Sequence, residues 1–410
     1  MKRVKGRLTS IFSLLLILAG IVGISAAVGW GNELQPSGAE KEEHISFALY
    51  GDMKNQQIAE EVAAVFQKQN QCRVDIYCYS TEEELNTNII GQIAGGNSFD
   101  VFIVSRELLS WLADEGEILL LDDIIEKRSR EGEYFYEVGL SCGQVNGKQY
   151  ALPAGVVPYM IYYNWTLLEE AGLKNPQILL QEAKWNLPGF AAYMREIQEK
   201  TGQPGLAFSA DWYVEETFLR YNEGGWEEKD GQLYLDETAR SNMELLQRLV
   251  QEEAIISGDK EIYDVLQKRF VEGELPMMVG GIDMTRICSQ TDFSWDILPM
   301  PSAYNDFSNY SVEISLLTVG NGKHAELAKE FADFYVSALG QKLRLQQGEC
   351  VMPSLNMVFY TSMGDVVFPE HSNYYFFAID RGRAYGGKMV SAEQKKQLEE
   401  IWKNYMGDGA

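Results

Sequence analysis

The chain has 410 residues and a formal net charge of −25, set by 60 acidic against 35 basic side chains. Charge of that sign repels nucleic-acid phosphates and anionic membrane surfaces, which argues against nucleic-acid binding. The length exceeds the roughly 250–300 residues at which one core stops growing. With 46% hydrophobic and 12% aromatic residues, two globular domains are predicted and no disordered tract.

Lys2, Arg3, Lys5 and Arg7 precede an uncharged run from Leu8 to Asn32 that is strongly apolar between Ile11 and Val28. Ser25-Ala26-Ala27 supplies the small residues of a cleavage site, so residues 1–28 read as an export signal. About 20 apolar residues also span a bilayer, so the leader is either cleaved or retained as an anchor. Both outcomes place the protein outside the cytoplasm. A polar spacer, 29–44, follows.

Ile45 to Tyr50 reads as a first strand. Ile58, Val62, Val65 and Phe66 then form a stripe of helical period. Val74 to Tyr79 is a second strand, and Thr81 with Glu84 makes a capping-box pattern for the next helix. Phe99 to Val104 is a continuous apolar run of the kind buried on both faces of a parallel sheet, with Ser105 placed to cap the following helix. This alternation predicts a doubly wound α/β lobe, whose ligands bind beyond the carboxyl ends of the strands. Asn146-Gly147 signals a hairpin, Gln149 to Leu152 a short strand stopped by Pro153, and Tyr159 to Tyr163 a buried strand that begins a second lobe. Helices are expected over Trp185 to Lys200, around Leu245 to Val250 and over Tyr263 to Phe270. Strands are expected at Leu206 to Ser209, Pro276 to Val279, Trp295 to Pro299 and Ser315 to Val319, and a further helix carries Leu327 to Tyr335.

The segment Val145 to Leu173 resembles the first interlobe crossing of the extracellular solute-binding proteins of ATP-driven importers, family 1, the maltose- and sugar-binding type. That family shows a Gly-Lys-x-Tyr-x-x-Pro run, then Tyr-Asn and Ala-Gly-Leu. Gly147, Lys148, Tyr150, Pro153, Tyr163, Asn164, Ala171, Gly172 and Leu173 fill those places. Phe270, Gly273, Met277 and Gly280 match a second family run more loosely. The resemblance implies a two-lobed periplasmic-binding-protein-like α/β fold of type II. Residues 45–155 and 292–347 would form the first lobe, and 156–291 and 348–410 the second. Trp295 to Pro299 would re-enter the first lobe, and Val351-Met352-Pro353 would recross. It also implies a monomer without enzymatic activity that captures a solute by hinge closure and hands it to membrane permease subunits. Many relatives end their leader in a lipid-modified cysteine. Here the first cysteine is Cys72.

Aromatic rings and hydroxyl-binding polar groups favour a carbohydrate, and an oligosaccharide in particular. Cleft candidates at strand ends are Tyr50 and Asp52, Ser105 and Arg106, and Asp211, Trp212 and Tyr213 in a loop. Gly281 and Asp283 follow a later strand. Tyr159 lies just past the crossing, and Tyr310 and Glu313 precede the Ser315 strand. Tyr375 and Arg383 come from the aromatic run near the C-terminus. Asp211 reads first as a helix cap and Arg106 first as a solvated helix start, while Gly281 reads equally as a turn former and Trp212 equally as core. A secreted carbohydrate-active enzyme, an iron binder using Tyr162-Tyr163 or Tyr374-Tyr375, a peptide binder and, with the leader retained, a membrane-anchored sensor ectodomain are the alternatives. Cys72, Cys78, Cys142, Cys288 and Cys350 lack metal-ligand spacing, so buried free thiols are expected, with no metal and no cofactor.

Overall fold

The computed structural model describes residues 43–210, 212–304, 307–356, 367–384 and 392–406. The leader expected at 1–28 lies outside the described residues. Among those described, no helix is long and apolar enough to cross a membrane.

The strands in chain order are β1 (His44–Tyr50), β2 (Arg73–Tyr79), β3 (Val101–Val104), β4 (Gln144–Val145), β5 (Lys148–Gln149), β6 (Ala151–Pro158), β7 (Met160–Asn164) and β8 (Leu206–Ser209). They continue with β9 (Trp226–Lys229), β10 (Gln232–Leu235), β11 (Ile255–Gly258), β12 (Met277–Gly280), β13 (Trp295–Pro299), β14 (Tyr310–Val319) and β15 (Arg383–Ala384). One sheet runs β15-β14-β3-β1-β2 with β6 also on β14, and another runs β11-β8-β12-β7-β13. Each builds one lobe.

In the first lobe β1 pairs in parallel with β2 and β3, as the strand-helix alternation predicts. Asp52 caps the Met53–Asn70 helix by accepting from the amides of Lys54 and Asn55. That helix buries Ile58, Val62 and Phe66, and Phe66 meets Phe331 edge-on at 5.1 Å. Phe331 in turn packs on Phe47 of β1 at 5.4 Å. The second core gathers Trp185, Phe190, Phe208 and Phe218 around β8. None of the five cysteines forms a disulfide; Cys72, Cys142 and Cys288 are buried.

The lobes meet where β6 continues into β7. β6 lies along β14 of the first sheet, β7 lies between β12 and β13 of the second, and the switch falls at Tyr159. The Tyr159 amide donates to the Ser311 carbonyl at 2.8 Å, and Val156 and Met352 exchange backbone bonds at 3.0 and 2.7 Å. Beside this ladder the hydroxyls of Tyr162, Thr285 and Tyr375 form a buried triangle with edges of 2.6, 2.7 and 3.0 Å.

Three expectations are corrected. Pro153 does not stop its strand. β6 runs through it because the β14 register shifts between Ser315 and Leu316, and a bulge accommodates a residue without an N–H. Trp295–Pro299 does not re-enter the first lobe; it pairs antiparallel with β7, and the chain returns only with β14. Val351-Met352-Pro353 does not lead straight into the second lobe, since Met352 bridges Val156 and Leu355 lies in the first core. Further on, β15 joins β14 in the first sheet, whereas the Ala392–Met406 helix buries Leu398, Trp402 and Met406 in the second core.

One buried charge braces the junction. Arg344 is 2% exposed and holds Glu349 through both carboxylate oxygens at 2.8 Å. It also donates to the Ala154 carbonyl on β6 and stacks over Tyr335 at 4.3 Å. Removing one partner of a buried pair strands the other in low dielectric. Arg344→Met is expected to cost about 3–5 kcal/mol in urea unfolding, with part of the loss recovered when Glu349→Gln is added.

Candidate functional site

A cavity of about 690 Å³ opens between the lobes. The first lobe contributes Arg106, which opens the helix after β3, and the short Glu137–Cys142 helix. The second contributes Arg220, the turn at Glu223-Gly224-Gly225 and Trp226, with Asp236 behind them. Asp380 and Arg383 close the base where β15 joins the first sheet.

The 221–225 turn is shaped by backbone geometry. Asn222 and Glu223 both take left-handed conformations, at φ 53° and 61°. At Gly224 a Cβ would lie 2.4 Å from the Leu219 carbonyl oxygen, so a side chain there would push the turn open. A strained turn held this way aims Glu223 across the gap. Its carboxylate meets the Arg383 guanidinium in a two-pronged bridge at 3.0 and 3.2 Å. The hydrogen bond from Arg383, with its charge, lowers the Glu223 pKa below the usual carboxylate value. Trp226 starts the β9–β10 hairpin, whose Asp230-Gly231 turn has φ 53° and 75°, the pairing of a tight two-residue connection. The Arg220 guanidinium sits 5.1 Å from the Trp226 ring centre and reaches the buried Glu216 at 3.2 Å. On the opposite wall, burial raises the Cys142 thiol pKa although the nearby Arg106 charge pulls it down. Asp380 adds to the burial that raises Tyr136.

Of the residues expected from the sequence, Arg106 and Arg383 line this cavity. Tyr50, Tyr159 and Glu313 form a separate group at the crossing. Tyr159 donates to Glu313 at 2.9 Å, and Tyr50 is held protonated far above its ordinary pKa by burial, then by Glu313, Glu82 and Glu107. Gly281 lies against the same crossing, where a Cβ would come within 2.9 Å of Val157 Cγ1. Asp283 is open to solvent yet ringed by protein, and that desolvation raises its carboxyl pKa against the pull of its own and the Met284 amides.

Other candidates serve the fold. Ser105 is buried and caps its helix by accepting from the Leu108 amide at 3.3 Å. Asp52 caps in the same way. Tyr375, expected on the cleft wall, is 1% exposed in the junction triangle, because its ring fills the core between the lobes. The Tyr162-Tyr163 pair is likewise buried, and both phenols are raised by desolvation, so neither pair presents two open tyrosinates to iron. Asp211 lies outside the described residues, as do the side chains of Trp212, Tyr213 and Tyr310. The backbone places Trp212 and Tyr213 in the first turn of the Trp212–Leu219 helix and not in a loop, and Tyr310 at the start of β14. Glu137, Arg220, Glu223, Trp226, Asp236 and Asp380 were missed. The Asp-Gly turn signal after Trp226 was the one readable clue to its hairpin.

The bridge between Glu223 and Arg383 spans from an element of the second lobe to the first sheet. A carboxylate whose pKa is depressed in the folded state keeps this contact above the ordinary Glu range and loses it as pH falls through the lowered value. Fluorescence transfer between dyes on the two lobes should report a wider separation on acidification through that range. Glu223→Gln should show the wide separation already at neutral pH, with little change in melting temperature, because the pair is solvent-exposed.

Residues 50–342 match the family described as bacterial extracellular solute-binding protein. A putative binding protein of Brucella abortus (strain 2308) is 22% identical over 290 residues, covering 67% of this chain and 68% of that relative. Among solved structures, the GacH receptor of Streptomyces glaucescens, known unliganded and with acarbose, superposes with a TM-score of 0.68 at 18% identity, covering 90% of this chain and 100% of that one. An ABC substrate-binding protein from Listeria monocytogenes in complex with cycloalternan gives 0.70 at 16% identity, over 89% and 94%. UgpB from Mycobacterium tuberculosis in complex with glycerophosphocholine gives 0.66 at 15% identity, over 88% and 93%. At these identities the structural likenesses establish the two-lobed fold.

Proposed function

The chain belongs to the bacterial extracellular solute-binding proteins, and from that premise we propose that it captures a carbohydrate, an oligosaccharide in particular, by closing its two lobes. Proteins of this family bind small-molecule solutes outside the cytoplasm, work with ABC permeases and catalyse no reaction. The finer reading is that this chain acts as a monomer exported by its N-terminal leader, carries its sugar to permease subunits, and is held at the cell surface by that leader where it stays uncleaved.

The observation that carries the sugar reading is the makeup of the interlobe cavity. Its walls set one indole, Trp226, among three guanidiniums and the carboxylates of Glu137, Glu223, Asp236 and Asp380. A ring face for stacking beside donors and acceptors of both kinds suits a ligand with apolar sugar faces and many hydroxyls. A volume of about 690 Å³ lies within the range of pockets that enclose drug-sized ligands, above what one pyranose ring needs. Closure is a population shift, supplied by contacts that form only when both lobes touch the ligand. The sugar ligands of the GacH receptor and of the Listeria protein support this reading, and the glycerophosphodiester bound to UgpB marks the competing class.

A thermal-shift screen over mono-, di- and oligosaccharides, glycerophosphodiesters and peptides tests it, since a ligand that binds only the folded state raises its melting temperature. Saturable stabilisation by a di- or oligosaccharide without turnover is expected. Trp226→Ala should then weaken affinity at least about tenfold through the lost stacking surface. Silence across all sugars with a shift for another class would overturn the carbohydrate reading.

A further inference from the structure

Asp296 on β13 is a buried carboxylate, 6% exposed, that the interlobe cavity does not use. Among the described residues no Lys or Arg lies within salt-bridge distance of it. Its one partner among the described residues able to carry positive charge is His371, whose Nδ1 stands 2.5 Å from Asp296 Oδ2. The His371 amide donates to the other oxygen at 3.1 Å. Glu370 is exposed beside them, also without an ion-pair partner among the described residues. One ligand atom from each of Asp296, Glu370 and His371 falls within 4.8 Å of the others. Buried carboxylates are ordinarily neutralised by a fixed cation or a metal. Here a neutral-capable imidazole and a second carboxylate converge on one.

We propose that Asp296, Glu370 and His371 bind one divalent transition-metal ion of the zinc class. An imidazole nitrogen with two carboxylate oxygens suits Zn²⁺, whereas Ca²⁺ and Mg²⁺ prefer all-oxygen sets. Water completes the tetrahedron on the exposed side, where His371 keeps 28% of its side-chain surface open. The ion takes the place of the proton shared between Nδ1 and Oδ2, and that pair widens to about 3.3 Å to span tetrahedral ligand positions. The supporting shell is already built. Tyr163 Oη and Gln177 Nε2 approach Asp296 Oδ2 at 3.4 and 3.5 Å, and the His371 ring packs 5.0 Å from that of Tyr374. Glu370 and His371 lead into the Asn373–Arg381 helix, which carries Tyr375 of the junction triangle. A bound ion therefore pins this late crossing of the chain to the second-lobe sheet.

The test is titration of the tag-free, metal-stripped chain with ZnCl2, CaCl2 and MgCl2, read by calorimetry and by melting temperature. Co²⁺ serves as a spectroscopic stand-in that reveals thiolate ligands by charge-transfer absorption. One saturable Zn²⁺ per chain with a raised melting temperature is expected, without a thiolate band and with no comparable effect of Ca²⁺ or Mg²⁺. Glu370→Gln, a surface change that leaves the His371–Asp296 bond in place, should weaken Zn²⁺ at least tenfold while the metal-free melting temperature stays as in the parent. His371→Gln should weaken it further. Absence of one-to-one binding, parental affinity in Glu370→Gln, a thiolate band, or preference for Ca²⁺ would each overturn the proposal.

Discussion

The chain has to pass between two sheets through a buried junction, and every peptide group on that path needs a partner. An unpaired buried amide or carbonyl costs about 1–3 kcal/mol, so the crossing is built as a ladder. β6 and β7 are one extended segment shared by both sheets, Ser311 meets Tyr159 where it switches, and Met352 closes on Val156. Side chains then fill what the ladder leaves. Tyr162, Thr285 and Tyr375 satisfy one another's hydroxyls, Arg344 ties the Ala338–Gln346 helix to Ala154, and the missing side chain of Gly281 lets the second lobe approach Val157. A junction laddered in this way is stiff along the strands.

The cleft inherits its chemistry from that frame. In the parallel strands of both sheets the carboxyl ends face loops and helix starts, and Arg106 is delivered in that way by β3. The second lobe answers with a turn held open by Gly224 and with a hairpin that projects Trp226. On a chain with a net charge of −25, three guanidiniums gathered on one cavity are a local reversal of the overall field. Arg220 is offset by Glu216 and Arg383 by Glu223, and Glu137, Asp236 and Asp380 add carboxylates to the lining, so the cavity presents oriented hydrogen-bonding groups and no strong net charge. Such pairs near solvent are weak enough to exchange partners with hydroxyls of a ligand.

Legibility followed the range of the interaction involved. The helix of Ile58, Val62 and Phe66, the buried run before Ser105, the Asn146-Gly147 hairpin and the exact bounds of Leu206–Ser209 rest on contacts within a few residues, and periodicity or turn chemistry reveals those. Ser105 and Asp52 were located correctly at strand ends, but their short oxygens went to the adjacent helix amides, since a local cap competes well with any distant partner. Tyr375 sat in a run rich in aromatic and charged groups, and nothing along the chain distinguishes a ring facing solvent from one facing Thr285, 90 residues earlier.

By itself, then, the sequence determined the α/β alternation, the presence of two lobes, the place of the first crossing and the family, because each is written in local pattern or in residues a few positions apart. Only the tertiary structure decided that Trp295–Pro299 belongs with β7, that Pro153 sits beside a bulge at Ala154 of its own strand, and that Glu223 reaches Arg383 while Asp296 reaches His371. Those outcomes depend on which of many distant partners completes a hydrogen bond or neutralises a charge at least cost. That choice is made by the packing of the two cores, which no stretch of neighbouring residues records.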